Sequence, residues 1–146
     1  MRRRQSPLYA GSDLDKSLGR LGDDGRLDRA VQLVERVTAA LPDRGPVKDA
    51  LSGTWLGHAL HPMLSDLPIG FWTSSLVLDL VPGHKYDDAA RALIGLGILS
   101  AVPTALAGAS DWRDTEGASR RVGAVHAVVN SSAVALVGLS LGILYE

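Results

Sequence analysis

His58 and His61 stand three apart in the stretch Gly57-His58-Ala59-Leu60-His61-Pro62, a spacing that puts both imidazoles on one face of a helix. Asp66 and Pro68 follow a few residues on. Asp111 and Trp112 form a second polar point, and His126 and Asn130, four apart, form a third. Imidazoles and carboxylates on separate helices offer several chemistries. Two imidazoles from different helices can serve as the axial pair of a haem b. His61, His126 and a carboxylate suit a non-haem transition metal. A proton or solute path through Asp66 is a third option. The structural reading is a hydrogen-bonded network: the histidines and Asp66 bond each other and backbone groups freed near Pro62 and Pro68. His61 and His126 are the best ligand candidates, with His58 behind them, and Asp66, Asp111 and Asn130 form a supporting polar cluster. His84, beside Pro82 and Gly83, reads as a solvated loop residue. No Gly-rich phosphate loop or nucleophile motif accompanies these residues.

The elements that must position these groups are apolar. The chain has 146 residues, one domain's worth. Residues 1–57 hold ten of its fifteen Lys and Arg. Beyond them, charge sits mostly in two gaps, Lys85–Arg91 and Asp111–Arg121. Charge confined to gaps marks segments immersed in lipid. Three spans are predicted, about 61–81, 89–109 and 122–144, each long enough for a hydrocarbon core of about 30 Å. The first is the weakest, because it carries Asp66, Asp79 and two prolines. The other two lack the polar stripe that a soluble core helix of their length would show. Their small residues allow close helix approach, and Gly95, Gly97, Gly138 and Gly142 are candidate contact positions.

The expected fold is therefore all-α: an integral membrane bundle of three transmembrane helices (residues 46–146) behind a cytoplasmic extension (residues 1–45). Residues 1–25 read as a flexible tail. An amphipathic helix is expected over Arg26–Leu41, and its mixed-sign polar face favours docking on protein over lying in the headgroup plane. A short helix is expected from Val47 to about Leu60, with Trp55, like Trp112 farther on, as an interface anchor.

Positive residues give a direction. The extension and the 111–121 gap are rich in arginine, which places both in the cytoplasm. On this topology His58, His61, Asp66, Asp111, His126 and Asn130 fall in one leaflet. The net charge of −1 gives no reason to expect nucleic acid. The absence of cysteine excludes thiolate metal sites and disulfides. Arg2–Arg4 are followed by no apolar run, so they are not a cleavable signal.

The run from Gly57 through Asp66-Leu67-Pro68-Ile69-Gly70-Phe71-Trp72, with Asp111-Trp112 and His126 downstream, resembles a bacterial membrane family known as domain of unknown function 2231. The likeness covers roughly residues 50–146. It implies a compact helical domain of the bacterial inner membrane, usually with four spans. Some relatives are fused to or sit beside Rieske iron–sulfur domains, which implies electron transfer. The family has no settled activity and lends no catalytic residue. His58, His61, Asp66, Asp111 and His126 match its polar pattern. This chain ends at Glu146, just after its third expected span, so a partner or a second copy is expected to cover the open flank. The leading expectation is a small subunit of a membrane redox complex, holding haem b or a metal through His61 and His126. A purely structural subunit and a small transporter or proton conduit are the alternatives.

Overall fold

The computed structural model describes residues 19–20 and 24–144. Most of the expected N-terminal tail lies outside them. Every regular element among the described residues is helical: α1 (Asp28–Thr38), α2 (Pro46–Ser52), α3 (Leu60–Asp79), α4 (Asp87–Arg113) and α5 (Gly117–Leu144). A 3-10 turn at Gly25–Leu27 leads into α1, and the Asp24 carboxylate caps it by accepting from Arg26 N.

The second expected helix is shorter than its pattern. Pro46 starts α2, as proline suits a first helical turn, but the helix stops at Ser52. Gly53 ends it with φ of 73°, and a Cβ there would strike the His58 carbonyl. A 3-10 turn follows and closes on Gly57, φ 68°. The glycine that opens the histidine motif is thus a left-handed turn residue. Ala59, in extended geometry, is the N-cap of α3.

α3 and α4 form an antiparallel hairpin along a seam of small residues. Ala90, Ile94, Gly97, Ala101 and Thr104 recur at alternating four- and three-residue steps, and all are buried. That is the spacing of a coiled-coil seam. Facing them are His61, Pro68, Trp72 and Ser75 of α3. Trp72 covers Gly97, leaving no room for a side chain. Cross-helix hydrogen bonds fasten the seam: Trp72 Nε1 donates to Ile94 O at 3.4 Å and Ser75 Oγ to Ala90 O at 3.1 Å. At Gly95, Gly138 and Gly142, expected as contact positions, an added Cβ would meet nothing within 4 Å among the described residues.

Pro68 sits inside α3 and has no N–H for the carbonyl of Leu64. Thr104 Oγ1 of α4 lies 3.1 Å from that carbonyl and donates to it. The proline's lost bond is thus made good from the neighbouring helix.

Among the described residues, two segments are long and apolar enough to cross a membrane: His84–Arg113 and Gly117–Ile143. The first expected span, α3, forms a helix but is not among them. His61, Pro62, Asp66, Pro68 and Asp79 dilute its apolar content. In the first of these segments 28% of the apolar window is buried, and in the second only 6%. α5 packs on α4 near their shared turn and exposes Val129, Leu136, Leu139 and Ile143 farther on.

The extension docks on the α4–α5 turn. Val34 of α1 packs with Trp112 and Ala124, flanked by Ala30, Val31 and Ala127. Ion pairs ring this contact: Arg120 with Glu35 at 2.8 Å, Arg121 with Asp28 at 2.8 Å, and Arg113 with Asp43. Lys48 of α2 reaches the Ser110 carbonyl and Asp114, each at 2.6 Å. Trp112, expected at the bilayer surface, is only 6% exposed and holds α1 instead. Its Nε1 donates to Arg120 O at 2.8 Å, and the Arg120 guanidinium lies 4.3 Å over its ring. Trp55, the other expected anchor, is exposed.

Candidate functional site at the histidine pair

His61 lies in the first turn of α3 and His126 in the third turn of α5. Their ring centroids are 6.3 Å apart with planes at 89°. The α3–α4 seam holds His61: a Cβ on Gly108 would come within 2.7 Å of its ring, so only glycine allows that approach.

Each ring's tautomer follows from its neighbours. His61 Nδ1 lies 2.9 Å from the Thr104 carbonyl. A carbonyl only accepts, so Nδ1 carries the proton and Nε2 the lone pair. Asn130 Nδ2 donates to the His126 carbonyl at 2.8 Å and lies 3.3 Å from His126 Nδ1. The amide nitrogen must face that carbonyl, so Nδ1 accepts and the proton sits on Nε2. The pair therefore presents one imidazole acceptor and one imidazole donor.

As placed, the pair is not set for two-histidine ligation of haem b or a metal, which needs Asn130 to turn its amide oxygen to a protonated His126 Nδ1. Both Nε2 atoms would need lone pairs, and only His61 has one in this arrangement. Among the described residues, no three His, Asp or Glu side chains gather to hold a metal ion.

The other expected members of the cluster lie apart. His58 is exposed and its Nδ1 donates to the adjacent Ala59 carbonyl at 2.8 Å. Because it precedes α3, the helical spacing to His61 does not apply. Asp66 is exposed and makes no hydrogen bond or ion pair within the described residues. Asp111 lies in the last turn of α4, its carbonyl accepting from Asp114 N at 3.1 Å. Of the six residues expected together, His61, His126 and Asn130 meet. Thr104 and Gly108 complete the site and were not singled out by sequence reasoning. The alternating small-residue steps from Ala90 to Gly108 are the signal that would have found them.

The family model for domain of unknown function 2231, described as a predicted membrane protein, matches residues 57–144. The chain belongs to this family. The match begins at the turn glycine of the histidine motif and takes in α3, α4 and α5. The domain 2231 region thus excludes α1 and α2, which are an addition to it in this chain. No curated protein and no solved structure matches the chain.

Proposed function

We propose that this chain is a non-catalytic subunit of a bacterial inner-membrane assembly, crossing three times with its N-terminus in the cytoplasm. The observation that carries the reading is α5. Only 6% of its apolar window is buried, yet it exposes His126 and Asn130 within that window. Polar side chains in a span are costly against lipid and face protein as a rule. A further polypeptide, another copy or a larger partner, covers that flank.

The crossing number rests on parity. Asp43 pairs with Arg113, and Lys48 with Asp114, so residues 43–48 and 113–114 share one side of any bilayer. The chain between them crosses an even number of times. α4 supplies one crossing, and α3 is the only other helix long enough. α5 adds the third. The arginines at the α4–α5 turn favour the cytoplasm for that side.

The chain has no cysteine, so single cysteines report cleanly. Asn130→Cys is expected to cross-link, to itself or to another protein, in native membranes. Quenching of a label at that position by lipid nitroxides, with no cross-link, overturns the subunit reading. Lys85→Cys and Thr115→Cys are expected to react from opposite sides. Reaction from one side sinks the three crossings, and so does release of the protein by carbonate.

A redox subunit is the second reading. It is favoured by the 6.3 Å separation of the rings, close to that of two imidazoles on one metal. It requires Asn130 to release His126. A purified protein with no Soret band and no stoichiometric metal ends it.

A further inference from the structure

The polar face of α1 is mixed in sign along the sequence, yet the structure separates the signs. Asp28, Val31, Val34, Glu35 and Thr38 share one face by their three- and four-residue steps. That face meets α5, where Arg121 and Arg120 take the two carboxylates. Arg29, Leu33, Arg36 and Val37 share the opposite face. All four are exposed, Leu33 by 53% and Val37 by 75%. Arg26 and Arg44 flank them, also exposed. None of these four arginines has an ion pair within the described residues. The acids are spent inward and the cations remain outward.

The level of α1 gives this face its meaning. α1 packs against Ala124 and Ala127, just inside the apolar run of α5 that begins at Val122. If α5 spans, α1 lies where acyl chains give way to headgroups. A surface of arginines around exposed Leu and Val suits that boundary: apolar side chains enter the acyl edge while guanidinium groups rise to phosphate. We infer that the outward face of α1 is a binding surface for anionic phospholipid headgroups, with Arg29 and Arg36 as phosphate contacts and Leu33 and Val37 as the inserted pair. One helix thus bonds its own protein on one side and the membrane surface on the other. The inference rests on the membrane reading above. It concerns a segment outside the matched family region.

The test uses the full chain in nanodiscs, with a fluorophore on Val37→Cys or, separately, on Leu139→Cys. Nitroxide-labelled phosphatidylglycerol and phosphatidylcholine are the lipid quenchers and iodide is the aqueous one. The expected result is quenching at position 37 that is stronger with the glycerol lipid. Arg29→Gln and Arg36→Gln should each lower that preference by about fivefold. Lipid quenching at 139 but not at 37 overturns the inference and leaves the membrane reading intact. Quenching at 139 by iodide and not by lipid overturns the membrane reading itself. A position 37 shielded from both lipid and iodide means a protein partner covers α1, and that too overturns the inference. Equal quenching by both lipids overturns the headgroup assignment.

Discussion

Thr104 donates the hydrogen bond that Pro68 cannot. Its single hydroxyl proton is shared between the Leu64 carbonyl at 3.1 Å and the Ser100 carbonyl at 2.8 Å. Thr104→Val keeps the shape and removes the donor. It is expected to lower stability by about 1 kcal/mol, read as detergent-induced loss of helical circular dichroism. Pro68→Ala restores a backbone N–H, so in that background the Thr104→Val cost should fall towards zero. An unchanged cost would show that the two residues are not coupled. At this scale the sequence was partly legible. His61, His126 and Asn130 were recognisable because helical spacing and apolar context converge on them. His58 was misjudged because the left-handed Gly57 ends a turn before α3 begins. Asp66 was misjudged because it is one residue off the seam, and seam phase depends on which face α4 presents. No motif encodes that.

Among elements, α1 and the α4–α5 turn are held by one buried tryptophan and several exposed ion pairs. These differ in weight. Trp112→Ala empties the centre of the contact and is expected to cost about 3 kcal/mol or more. Arg120→Gln removes a partly exposed pair with Glu35 and the guanidinium contact with the Trp112 ring, and is expected to cost about 1–2 kcal/mol. Limited proteolysis in the segment between α1 and α2 checks the ranking, because a detached α1 exposes it. Faster cleavage in Arg120→Gln than in Trp112→Ala would refute it. The amphipathic pattern revealed α1 itself, and Pro46 revealed the start of α2. Tryptophan beside an apolar run reads as a bilayer anchor in any single sequence. Only the docked helix turns Trp112 into a packing residue.

For the molecule as a whole, the hairpin of α3 and α4 is complete, whereas α5 is fastened only near its start. Gly138 and Gly142 leave room for a Cβ among the described residues and lie on the exposed stretch of α5. If another polypeptide seats there, Gly138→Leu should lower the assembled mass in mild detergent without changing the monomer's helix content. Analytical ultracentrifugation and circular dichroism read the two arms. An unchanged mass would place the partner elsewhere on α5. The helical class and the three long apolar or semi-apolar runs were plain from composition and charge gaps. The exposure of α5 was not, since an apolar helix facing lipid and one facing protein have the same composition.

The α3–α4 seam has a direction of its own. His61, Trp72 and Ser75 supply side-chain donors, and α4 answers them with the backbone carbonyls of Thr104, Ile94 and Ala90. A backbone acceptor is indifferent to the side chain that carries it. In a saturation library, positions 61, 72 and 75 should therefore tolerate few chemical types, whereas 90 should accept any residue small enough to fit and 97 only glycine. The two helices of one hairpin would then drift at different rates: α3 under selection for chemistry, and α4, apart from the Thr104 hydroxyl, for volume.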